Sequence, residues 1–284
     1  MTAALHPLPT GAGTARAARG ALAVPGADAS LAPVRATIRV VFGTDRLPGL
    51  APGLTVDEPA GWLPATALTG GEHLDDLLAS AERRWRSTPH TATALAWKAY
   101  TYWLALAPVL GWAGARRVPL MGADEVLLRL EPSGPSGPFV TVGLRPGATV
   151  AVLANDPLAI APRPEIKVVD DEAALLSALR AGLLDAHLNP LLDRVRGRVR
   201  LGARTLMGSL ASGIAHALLR AADALPGSAV EAVDTVLGAL DLADLVELMP
   251  DQAGRPTVQR KTCCLAFTLP KPRVCAGCCI RPTP

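Results

Sequence analysis

All five cysteines of this chain, Cys263, Cys264, Cys275, Cys278 and Cys279, lie in one short stretch, and the 262 residues before them contain none. Thiols gathered so closely serve as ligands for a soft or borderline metal, as disulfide partners, or as a redox set. Two are adjacent, ten residues intervene, and the next two are separated by two, giving Cys-Cys-x10-Cys-x2-Cys. A structural zinc site ordinarily takes two Cys-x2-4-Cys knuckles, because one turn then brings two thiolates to one ion at about 2.3 Å. An adjacent pair does this poorly, since neighbouring side chains of extended backbone point to opposite sides. Such a pair more easily serves a cluster with separated irons, and four thiolates are the usual complement of a [2Fe–2S] or [4Fe–4S] cluster. A structural zinc site and a redox disulfide set remain the alternatives. A secreted disulfide framework would spread its cysteines over the fold and follow an apolar leader. The opening MTAALHPLPTGAGTARAARG has no uninterrupted apolar run, so a reduced, cytoplasmic setting is expected.

The stretch RKTCCLAFTLPKPRVCAGCC resembles the C-terminal iron–sulfur segment of the FhuF-type ferric siderophore reductases, whose motif has the same spacing. The flanks fit as well: Arg260 to Thr262 as a basic lead-in, Leu265 to Phe267 as a hydrophobic-aromatic stretch, and Pro270 before the second pair. The helical-looking HLNPLLDRVRGRVRLGARTLMGSLASGIAHAL is similar to the family's less strongly patterned body, and the resemblance spans roughly residues 60 to 282. It implies a [2Fe–2S] cluster held by Cys263, Cys264, Cys275 and Cys278. It also implies one-electron reduction of ferric siderophores, releasing Fe(II) in the cytoplasm. Cys279 departs from the pattern. It reads either as a spare thiol able to replace a neighbour or, preferentially, as a small apolar side chain. No Gly-rich dinucleotide fingerprint opens a helix after a strand, so electrons are expected from a separate donor protein or reductant. The competing class is non-enzymatic: a zinc- or iron–sulfur-binding sensor or interaction module.

Charge and aromatics narrow the partners. From Asp251 onward six cations (Arg255, Arg260, Lys261, Lys271, Arg273 and Arg281) face one anion, a net of +5, whereas the rest of the chain carries −2. A nucleic-acid reader needs a broader basic face with interleaved aromatics, so nucleic acid is not an expected partner. The five tryptophans and both tyrosines fall between Trp62 and Trp112; Trp97, Tyr100 and Trp103 read as one buried helix face rather than a ligand pocket. His73, His90, His187 and His216 lack metal-ligand spacing and read as capping or packing residues.

The elements that must hold this tail are mostly helices. Half the residues are hydrophobic and only 4% aromatic, which implies an Ala/Leu/Val core of many small contacts. The periodicity predicts helices over 73–85, from Thr88 as cap and Pro89 as first residue to about Trp112, and over 170–184, 185–198, 203–225 and 228–248. The 17 uncharged residues from Ala99 to Ala115 fall at the bottom of the membrane-spanning range and contain Pro108, so a buried helix pair is expected, with peripheral membrane association left open. Ala36 to Phe42 alternates like a strand, LPGLAPGLTVDEPAG reads as irregular, and segments 125–130, 139–144 and 149–153 suggest an antiparallel meander. The fold class is therefore α+β: a helical body with a small antiparallel sheet and a cysteine-rich segment. Its expected organisation is a flexible segment 1–35, a siderophore-reductase-like body 36–249 and a [2Fe–2S]-binding segment 250–284.

Overall fold

The computed structural model describes residues 28–130, 137–161, 163–275 and 277–280. The fold is α+β and predominantly helical. Its axis is α4 (Pro89–Ala115), capped as expected by Thr88, whose side chain accepts from the Thr91 amide, with Pro89 at the first turn. Apolar on nearly every face, α4 is buried over most of its length and is one continuous helix rather than a pair. No helix among the described residues is long and apolar enough to cross a membrane.

Three helices sheathe α4. The first, α1 (Asp28–Phe42), replaces the strand expected at 36–42, and it reaches back into the stretch expected to be flexible. Leu31, Val34 and Ile38, spaced by three and four, are buried, while Val40 of the alternating run is 69% exposed, so tertiary burial overrides β-branched propensity. Pro33 cannot bond to the Ala29 carbonyl, and the Arg117 guanidinium donates to that oxygen at 3.2 Å. Residues 1–27 lie outside the described residues. After α2 (Thr66–Thr69), α3 (Leu74–Trp85) buries the predicted Leu74, Leu77, Leu78 and Ala81. The third, α7 (Ala203–Arg220), lays its Leu206, Leu210, Ile214 and Leu218 stripe into the core and packs along α4.

Three small sheets complete the body. In the first, β1 (Leu50–Thr55), β5 (Val140–Leu144), β4 (Val126–Leu130) and β2 (Leu63–Pro64) lie in that order, with β1 parallel to β5 and the other pairs antiparallel. The β1 segment had read as irregular; it is a bulged strand whose Gly53 and Leu54 adopt φ of 72° and 69°. In the second, β6 (Val150–Leu153) lies between β3 (Arg117–Pro119), antiparallel, and β7 (Ile166–Val169), parallel. The three expected strands therefore divide between two mixed sheets and form no meander. From Asp171, which caps it at the Ala174 amide, α5 (Glu172–Arg180) runs through a π-helical segment, Ala181–Leu188, into α6 (Asn189–Arg198). The widened turn faces Gly182 onto the backbone of Leu120 and Met121. Past α8 (Ala229–Ala239) the expected helix stops, and residues 246–248 open the hairpin of β8 (Val246–Pro250) and β9 (Pro256–Arg260). Pro250, Gly254 and Pro256 are the turn of that hairpin, so the expected boundary at 249/250 falls inside a paired unit that packs on α7.

Candidate metal centre and its cleft

The hairpin carries the cysteines. Beyond β9, the Lys261 amide donates to the Leu245 carbonyl and Thr262 lies against α7 at Gly208, where a Cβ would come within 2.0 Å of the threonine hydroxyl. Cys263 and Cys264 follow. Leu265 then adopts a left-handed φ of 61°, which turns its amide back onto Cys263 Sγ at 3.3 Å, and the 3-10 turn Ala266–Thr268 begins. The hydroxyls of Thr268 and Thr91, the latter on α4, meet at 2.6 Å. Cys264, Ala266 and Leu269 form a small separate core with Leu95 of α4, flanked by Trp85 and Cys275. The second pair is held by a tight turn in which the Cys278 amide donates to the Cys275 carbonyl at 3.1 Å. Gly277 in this turn has φ of 71°, and its carbonyl accepts from the Arg260 amide at 2.8 Å. A Cβ there would lie 1.8 Å from the Val258 oxygen, so only glycine fits. Gln259 Nε2 donates to the Cys278 carbonyl at 2.9 Å.

Both cysteine pairs thus meet at the end of β9. Cys264 is within hydrogen-bonding reach of Cys275, Cys263 is within reach of Cys279, and Cys278 lies beside Cys275 and Cys279. The four cysteines of the motif are brought together, and the fifth, read from sequence mainly as a small apolar residue, is in contact with the first. Among the described residues no three His, Cys, Asp or Glu side chains gather around one point closely enough to chelate a single ion. Cys264 stands beside Cys275 and Cys263 beside Cys279 instead.

Their ionisation is split. Burial alone would raise Cys264, but the Ala266 amide, Lys98 and Arg260 outweigh it and bring the thiol below its ordinary value. Burial, with Cys264 and Cys278 as neighbours, raises Cys275; burial, with Cys263 and Cys278, raises Cys279. Cys264 therefore gives up its proton more readily than Cys275 or Cys279.

The expected basic patch is divided by the fold. Arg255 pairs with Asp251, Lys261, Lys271 and Arg273 are exposed, and Arg281 lies outside the described residues. Arg260 is only 3% exposed: its Nη2 donates to Ser209 Oγ at 2.9 Å, while Nε and Nη1 have no partner among the described residues. The adjacent Thr262 hydroxyl is likewise buried and unpartnered. An uncompensated buried guanidinium costs on the order of several kcal/mol. The thiols and these donors lie side by side, and Cys263, Cys264, Cys275 and Cys278, with Cys279 in reach, are the residues that could hold a metal group.

The thiol set borders a cleft of about 480 Å³ between α3, α4 and α7, with Cys275 in its lining. Trp85, Leu95 and Tyr102 form apolar walls, and Lys98, Arg260 and His216 supply its nitrogen groups. Sequence reasoning missed these residues. Trp97 and Tyr100 are buried as expected, Trp103 is only partly buried and lies against Gly49, and Trp85 and Tyr102 line the cleft. The available signal was Lys98, the one lysine, arginine or acid within α4. Of the histidines, His73 contacts Asp76, His90 is exposed, His187 is buried, and His216 stands at the cleft's edge, not in packing. Compared with protein-family models and with curated proteins, the chain matches none.

Proposed function

We propose that this chain is an iron–sulfur oxidoreductase of the FhuF type that reduces ferric siderophores by one electron in the cytoplasm. The observation that carries the reading is the nearness of Cys264, Cys278 and Cys275 to one another, with Cys275 lining an open cleft; the spacing of these three and Cys263 is that of the family's motif. Those residues would hold a [2Fe–2S] cluster, which when bound supplies a one-electron carrier. The chain's own groups prepare its seat. The Leu265 amide donates to Cys263 Sγ, and the Ala266 amide favours the Cys264 thiolate, as hydrogen bonds to the charged form do. Lys98 and Arg260 offset negative charge. Leu95, Leu269 and Trp85 keep water from Cys264.

The reaction is balanced by one electron lost from an external donor and one gained by the ferric ion, with no covalent bond to the protein. Siderophore oxygens are hard ligands that suit Fe(III) better than Fe(II), so the reduced ion is released. Exposed Lys261, Lys271 and Arg273 near the thiols offer an acidic donor protein a complementary surface. Protein purified anaerobically should show thiolate-to-iron charge-transfer bands and contain about two irons and two sulfides per chain. Reduced by dithionite, it should pass one electron to a ferric siderophore. A colourless protein with one zinc would overturn the reading in favour of a non-enzymatic zinc module.

A further inference from the structure

Arg260 is buried in a way that its own hydrogen bonds do not explain. It closes β9 three residues before Cys263, and the chain ties it at both ends. Its amide donates to the Gly277 carbonyl, inside the turn of the second cysteine pair, and its Nη2 donates to Ser209 Oγ on α7. Between these ties the guanidinium is 3% exposed, and among the described residues Nε and Nη1 have no acceptor and no carboxylate pairs with it. Its charge is fixed, because a guanidinium does not deprotonate inside proteins. Both orphan nitrogens are closed to solvent, so no mobile anion reaches them and the answering charge must be built into the protein. The thiols are the neighbouring groups that can gain negative charge, and Arg260 favours the charged forms of Cys264, Cys275 and Cys279. We propose that Arg260 is the built-in counter-charge of the metal–thiolate group, unsatisfied until the thiols are loaded and a positioning residue for the loaded form. Four thiolates leave a net charge of about −2 whether they hold one divalent ion or two ferric ions bridged by two sulfides. The inference rests on the thiols binding a metal, and not on which metal or on the ferric substrate.

Loaded and metal-free protein should respond to one substitution with opposite sign. In the metal-free chain, Arg260→Met replaces an uncompensated buried charge by an apolar side chain of similar length, and the urea unfolding midpoint should rise. In the chain purified anaerobically with its metal, the same substitution should speed metal loss to a chelator at least tenfold. Arg260→Lys, which keeps the charge, should recover most of that retention. Where the metal is an iron–sulfur cluster, Arg260→Met should also shift the reduction equilibrium at least tenfold towards the oxidised form, about 59 mV for one electron. Arg260→Gln, also neutral, serves in its place if the Arg260→Met chain does not fold. A midpoint that fails to rise in the metal-free variant would make Arg260 an ordinary structural arginine and overturn the proposal. Metal retention equal to wild type would overturn it too, as would an Arg260→Lys chain no better than the neutral variant. If the purified chain holds one zinc, the reductase reading fails, and the unfolding and chelator comparisons test Arg260 unchanged on the zinc form.

Discussion

His187 receives a hydrogen bond at Nε2 from the Tyr100 hydroxyl and donates from Nδ1 to the Met121 carbonyl, both at 2.6 Å, and is fully buried. Burial lowers its pKa to about 4, with the Met121 bond and Asp124 opposing only in part. The folded value lies below the unfolded one of about 6.5, so this histidine contributes stability that is fully present above pH 6.5 and is lost as pH falls towards 4. Urea unfolding across that window should show a decline of about 3 kcal/mol attributable to this residue, and His187→Gln should flatten the profile. An unchanged profile in the variant would show that His187 is not the titrating group. At the thiols, Cys279 touches Cys263 while Cys278 lies beside Cys275 and Cys279, so the two adjacent sulfurs can stand in for one another. Cys278→Ser and Cys279→Ser should each keep a visible absorption band, and the double variant should lose it. Complete bleaching by Cys278→Ser alone would give Cys279 no ligand role.

The approach of α7 to the lead-in strand depends on Gly208, whose absent Cβ makes room for the whole Thr262 side chain. Alanine is the better helix former by about 1 kcal/mol, but here the clash should dominate. Gly208→Ala is expected to destabilise by about 1–3 kcal/mol and to loosen the adjacent Cys263. A rise in melting temperature would mean the helix and strand separate at no cost. Along α7, Gly213 meets Tyr102 of α4, and Gly208 meets the residue before the cysteines. The cap Thr88 and the apolar helical periodicity of α3 were legible because they are local, encoded within one or two turns. The helix at Asp28–Phe42 and the strand at Leu50–Thr55 were not, because both are fixed by what they pack against: the first has a strand's alternation, the second a turn's composition. The same division runs through the site. Spacing alone singled out four thiols as a ligand set, whereas Arg260, counted from sequence with the basic tail, is buried in the body, and its cleft partner Lys98 comes from an element 162 positions away.

Across the whole molecule, positive charge that the fold leaves exposed near the thiols is concentrated at Lys261, Lys271 and Arg273. Charge at the rim of an encounter surface governs association rate more than affinity. Lys261→Glu with Arg273→Glu should therefore slow reduction by an acidic donor protein in stopped-flow mixing while leaving reduction by dithionite near wild type. The difference should shrink as salt is raised past about 0.15 M, where charges are screened beyond about 8 Å. Equal rates at low salt would show that the donor docks elsewhere. The cysteine segment also rests on α3, α4 and α7, all of which precede it in the chain, through the small core around Cys264, the Thr91–Thr268 contact and the Arg260–Ser209 bond. During synthesis, the surfaces that will receive these thiols have emerged and can fold before the first sulfur leaves the ribosome. A chain that stops just before Cys263 would thus already hold the surfaces that receive the segment, so the cysteines meet a seat shaped ahead of them.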